Sequence, residues 1–184
     1  MKDFTIGEAF KNSISTWSAV SVFVTALMFV TGIAIGIIAI YQFKKLGDNT
    51  NETVKTSVYK AIFLTFLSAM MIAVARFIPI LSETLLTDAN TYTPEKLLSE
   101  VDSKRMLPGI AEALTSILLF VQALGTIAIF RGFLMLKSHA EGKLGELPKA
   151  ITHIVGGVLA VNIQLTIAMF ASTFYPNFDM SWLV

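Results

Sequence analysis

Four long apolar runs, residues 19–41, 58–81, 110–134 and 150–174, constrain this 184-residue chain more than any other feature. Each is close to the roughly 20 residues that a helix needs to cross about 30 Å of hydrocarbon. In lipid every backbone N–H and C=O must be satisfied inside the segment or inside a closed barrel. The runs are continuous and lack the period-two alternation of a barrel strand, which leaves helices. A soluble fold can bury one such run. Four of them, in a chain that is 54% hydrophobic, predict an integral membrane protein.

Charge sets the expected topology. The loop between the first two runs carries Lys44, Lys45, Lys55 and Lys60; the flanks and loop between the last two carry Arg131, Lys137, Lys143 and Lys149. The central stretch is acidic, with Glu83, Asp88, Glu95, Glu100 and Asp102. The positive-inside rule places both basic loops in the cytoplasm and both termini outside, with Lys2 and Lys11 as the opposing evidence. Basic loops of this kind can hold anionic lipid headgroups or serve only as topogenic charge. A net charge of +1 gives no basis for sequence-specific nucleic-acid binding. The first run is too long for a signal core, and the absence of cysteine removes disulfides and thiolate metal sites.

Five segments follow. Residues 1–18 form an amphipathic N-tail: Thr5 and Glu8 make a capping box, and Phe4, Phe10, Ile14 and Trp17 share a face suited to the membrane interface. Residues 19–81 form a first transmembrane hairpin with its basic loop at 42–57. Residues 82–109 form an acidic periplasmic connector, in which Thr93-Pro94-Glu95 starts a short helix and Pro108-Gly109 stops it. Residues 110–174 form a second hairpin with its loop at 135–149, and 175–184 an aromatic C-tail. Offset by 92, Lys45 aligns with Lys137 and Leu67 with Leu159, so the hairpins read as a parallel repeat. The expected fold is all-α: a four-helix transmembrane protein of two parallel-repeated hairpins, with short N-terminal and central amphipathic helices.

Small residues recur at helix-packing spacing. Gly32 and Gly36 make a GxxxG pair; Ala61, Thr65, Ala69 and Ala73 form a ribbon in the second run; Ala128 and Gly132 lie in the third, and Thr152, Gly156, Ala160 and Ala168 in the fourth. Such ribbons let helices approach closely in lipid, either within one chain or between copies. Polar residues inside the runs are few. Arg76 and Glu112 fall at similar depth, and form an ion pair unless Arg76 snorkels to headgroups. Gln122 and Asn162 lie near the midpoints of runs three and four, placed to join the second hairpin by a hydrogen bond or, less in keeping with so few polar partners, to hold a substrate. His139 and His153 stand fourteen residues apart with no carboxylate cluster, so no metal site is expected. No nucleophile, phosphate-binding or zinc-protease motif occurs, and neither catalysis nor a cofactor beyond bound phospholipid is expected.

One stretch carries a resemblance. Leu124-Gly125-Thr126-Ile127-Ala128, Arg131-Gly132-Phe133, Leu136-Lys137-Ser138-His139 and then the run from Ala150 through His153, Gly156-Gly157 and Asn162 to Ile163 resemble the small membrane proteins of type IVB secretion and I-type plasmid conjugation systems, the TraQ and IcmC (DotE) group. About forty residues carry it, by packing motifs. It implies a non-enzymatic structural subunit of a conjugative secretion apparatus in a bacterial inner membrane, partnered by lipid, by copies of itself and by other secretion subunits. The plan is also similar to two pilin hairpins in tandem, which implies a polymer with phospholipid, and an extracellular pilus. A holin-like pore former or a small transporter is the alternative.

Overall fold

In a computed structural model, residues 6–48, 54–74 and 110–174 are described. Among them all regular structure is helical: α1 (Ile6–Asp48), α2 (Val54–Ile72), α3 (Ile110–Ala140), α4 (Glu146–Val161) and α5 (Ile163–Phe174). The acidic connector with its expected helix, the aromatic C-tail and Arg76 lie outside the described residues.

α1 is one unbroken helix of 43 residues, about 65 Å long at 1.5 Å per residue. This corrects the expectation of a separate N-terminal helix lying in the membrane plane. No proline or glycine interrupts residues 8–31, and the polar side chains that could compete with the helix bond back to it. Ser13 Oγ donates to Phe10 O at 2.7 Å, Ser15 Oγ to Asn12 O at 2.9 Å, and Thr25 Oγ1 to Ser21 O at 2.9 Å. The apolar face of the N-terminal turns has a protein partner. Ile14 and Trp17 pack on Leu118 and Leu119 of α3, and the rings of Trp17 and Phe120 meet edge-on at 4.7 Å.

α2 returns along α1, with Ser68 opposite Gly32 and Gly36. α3 then runs beside α1 in the same direction: Ser13 and Ser116, 103 residues apart, share a hydrogen bond of 2.6 Å. That spatial register differs from the offset of 92 at which the two basic loops align, so the contact does not superpose equivalent positions of the supposed repeat. α4 turns back on α3 through a tight connection. Gly142 N–H donates to His139 O and Lys143 N–H to Ser138 O, closing α3 with the paired bonds of a Schellman motif. Gly142 at φ 94° supplies the left-handed residue this requires. The connection is therefore shorter than the 135–149 loop expected: α3 continues to Ala140 and α4 begins at Glu146.

The core lies where α1, α2, α3 and α4 meet, and its fully buried large side chains include Met28, Ile35, Leu64, Leu67, Met71 and Phe133. Among the described residues two helical stretches, Glu8–Gly47 and Glu112–Ala140, are long and apolar enough to cross a membrane; the apolar part of α2, Val58–Ile72, is shorter. The fourth expected span is not continuous. It breaks at Asn162, whose φ of −106° and ψ of 44° leave the helical region and separate α4 from α5.

Candidate functional site: a helix break against a buried polar layer

The break follows from local hydrogen bonding. Asn162 has its backbone N–H and its Nδ2 both donating to Val158 O, at 3.1 and 3.0 Å. Short amide side chains that reach their own backbone offer it an alternative to the regular ladder. Thr166 secures the other side: its hydroxyl lies 2.8 Å from Leu159 O and 3.0 Å from Asn162 O, bridging two carbonyls across the kink. Regular bonding resumes with Thr166 N–H to Asn162 O at 2.9 Å.

Around this break the polar residues are buried. Thr115, Ser116, Gln122 and Thr126, spread over about three turns of α3, are buried, as are Asn162, Gln164 and Thr166, and all are uncharged. The expectation that Gln122 and Asn162 would join α3 to the fourth segment is replaced by a different use of each amide. Asn162 Nδ2 serves its own helix, and Gln122 Nε2 has no acceptor in the protein. Gln164 escaped the sequence reading altogether, although it is 1% exposed with both amide atoms buried. Its signal was the spacing Asn162, Gln164, Thr166: Asn162 and Thr166, four apart, share a helical face, and Gln164 places a polar group on the opposite one. Glu112 is half-buried in the first turn of α3.

Close backbone packing joins the helices. A Cβ on Gly125 would stand 2.7 Å from Gly157 O and from Val161 N, and one on Gly132 would stand 2.5 Å from Ile154 Cγ1. A Cβ on Gly32 would meet Met71 Cβ at 2.9 Å, and one on Gly36 would meet Ser68 Oγ at 2.7 Å. Gly32, Gly36 and Gly132 are thus packing positions inside the protomer, and Ala160 borders Gly125. Gly156 is not one of them: it is exposed with open space around it, and its neighbour Gly157 faces α3 instead. Ala69 and Ala73 also face outward from α2. The ribbons differ in this: Gly32 and Gly36 both face α2, whereas Thr65, Ala69 and Ala73 of α2 are exposed, because a ribbon fixes a helical face but not what covers it.

Apart from Lys11 near the start of α1, most of the described basic residues gather at one end. Glu141 bonds Lys137 at 2.6 Å, and the fields of Lys60 on α2 and Lys143 reach the same carboxylate; together with that bond they hold it below the ordinary value of 4.5. Lys149 bonds Glu146 at 3.3 Å. Lys44, Lys45 and Lys143 are exposed, and the side chain of Lys55 is outside the described ones. Arg131 differs from this group, being exposed on the flank of α3 nine residues before its end, within the helix and not in a loop. Among the described residues no group of three or more His, Asp or Glu is placed to hold a metal ion. Comparison with family models, with curated proteins and with solved structures finds no match.

Proposed function

We propose that the chain is a non-enzymatic structural subunit embedded in a bacterial inner membrane, built as two helical hairpins with both termini periplasmic. The observation that carries this reading is the outward surface of the protomer. On α1, Val22, Phe23, Val30, Ile37 and Ile40 are each more than 60% exposed, along a helix whose most apolar stretch is only 28% buried. That area needs lipid or a neighbouring copy against it. Outward small residues, Ala69 and Ala73 on α2 and Gly156 on α4, would let a second copy approach closely. Exposed lysines at one end suit phospholipid headgroups there.

The larger assembly rests on the resemblance within residues 124–163: a conjugative type IVB secretion apparatus, in which the chain polymerises as a pilin-like or channel-forming component alongside other secretion subunits. The test is carbonate extraction of membranes, followed by electron microscopy and mass spectrometry of material sheared from cells expressing the native gene cluster. A carbonate-resistant chain that is also present in filaments or rings fits the reading. A carbonate-soluble chain refutes the membrane part, and a resistant chain absent from every assembly refutes the polymer part. The second reading, a small pore former or transporter, is favoured by the broken helix and its buried amides; it requires solute flux that Gln164→Leu abolishes.

A further inference from the structure

Three buried polar atoms at the helix break have no partner in the protein: Nε2 and Oε1 of Gln164, and Nε2 of Gln122. Gln164 is 1% exposed and Gln122 8%. The helices bring the two side chains to one level. Gln122 lies one turn before Gly125, which packs on Gly157 and Val161, so the antiparallel course of α3 and α4 carries Gln122 to the start of α5. From α5, Ile163 and Leu165 pack on the Leu118–Leu119 pair, one turn from Gln122 on the same helix.

The backbone adds to this. α4 ends at Val161 and α5 begins at Ile163, so the ladder is interrupted between the bonds Asn162 N–H to Val158 O and Thr166 N–H to Asn162 O. First-turn N–H groups of a helix have no acceptor within it. The break thus gathers amide donors from two side chains, the opening N–H groups of α5 and one side-chain acceptor.

We propose that this break is a bound-water site, in which water bridges Gln122, Gln164 and the first turn of α5. The required ligand must accept from two NH2 groups and donate to one carbonyl oxygen. A cation would face the NH2 groups, and an anion would face Gln164 Oε1; the described residues around the break supply no charge to offset either. Only a small neutral molecule that both donates and accepts satisfies all three atoms. Water inserted into an interrupted i→i−4 ladder is a known cause of a helix kink, and a buried water needs about two to four polar partners. One water would satisfy the three side-chain atoms, its two lone pairs taken by the NH2 groups, and a second would serve the opening N–H groups of α5, beside the apolar contacts of Ile163 and Leu165 with Leu118 and Leu119.

The experiment is proton-detected solid-state NMR of the full chain in lipid, following magnetisation transfer from water to side-chain amides. Gln42, half-exposed near the end of α1, is the hydrated reference, and the backbone amide of fully buried Ile129 is the dry one. Transfer to Gln164 and Gln122 several-fold faster than to Ile129 is expected, and Gln164→Leu should slow transfer at Gln122 towards the dry rate. Rates at both amides equal to that of Ile129 overturn the proposal, as does a through-bond coupling showing that the two amides bond each other. Unchanged transfer at Gln122 in Gln164→Leu overturns the shared site. Should that variant fail to fold, the comparison within the native chain still decides.

Discussion

Adjacent glycines in α4 offer a controlled test of the packing between α3 and α4. Gly156→Ala and Gly157→Ala make the same chemical change, one residue apart in one helix, so their helix-propensity gains of up to about 1 kcal/mol cancel in the comparison. What remains is the space each new methyl enters. At Gly156 nothing lies within 4 Å. At Gly157 the Cβ would sit 2.8 Å from Gly125 O and 3.0 Å from Ile129 N, both backbone atoms, where ordinary contact begins at 3.4 Å. Backbone cannot rotate away as a side-chain tip can, so α3 and α4 must part along their length. Overpacking of this kind costs roughly 1–3 kcal/mol. For a chain of this size each kcal/mol shifts the unfolding midpoint by about 2–4 °C. Circular dichroism of the purified variants in one detergent should therefore place Gly157→Ala roughly 2–12 °C below Gly156→Ala, with Gly156→Ala at or above the native midpoint. Equal midpoints, or a higher one for Gly157→Ala, would refute the close approach of the two helices.

Other outcomes follow from single contacts. Ser68→Ala removes the donor to Gly32 O, a buried bond of 2.8 Å, and should lower stability by about 1 kcal/mol in chemical unfolding; an unchanged midpoint would mean the carbonyl is satisfied elsewhere. Thr166→Val keeps the side-chain shape but removes the hydroxyl that binds Leu159 O and Asn162 O. It should cost about 1–3 kcal/mol and raise amide exchange around residue 162. Glu141 has its carboxyl held below 4.5 by Lys137, aided by Lys60 and Lys143. A depressed folded value means its contribution is present above 4.5 and is lost as pH falls through the folded value. The pair is solvent-screened, so Glu141→Gln should cost only about 0.3–0.5 kcal/mol at neutral pH and nothing in strong acid; a penalty that grew with acidification would reverse the sign of the argument. Gly156→Leu should leave the protomer folded yet disrupt any assembly that uses the outer face of α4, as read by crosslinking in membranes. Gly32→Leu should instead unfold the protomer, because its Cβ would already stand 2.9 Å from Met71 Cβ.

What lies in the sequence is the helical state of the described chain and the faces that can pack. Continuous apolar runs leave the backbone no partner but itself, and the small residues Gly32, Gly36 and Gly132 mark places where helices touch. The end of α3 was less legible: the run was expected to stop at 134, yet the helix continues to Ala140 and closes on Gly142, which takes φ 94° without strain. Tertiary structure decided which member of each ribbon meets a neighbour. Gly156 and Gly157 are indistinguishable by composition, yet only Gly157 lies under α3, since the antiparallel register is a property of two helices together. It also decided the fate of the N-terminal segment. Ile14 and Trp17 suit a membrane surface by amphipathicity, but Leu118, Leu119 and Phe120 cover them, and an uninterrupted helix carries them there. The break at Asn162 had the same origin. An isolated apolar run containing one asparagine reads as a continuous helix; in the tertiary structure the chain leaves the helix at Asn162, and Asn162, Gln164 and Thr166 are all buried.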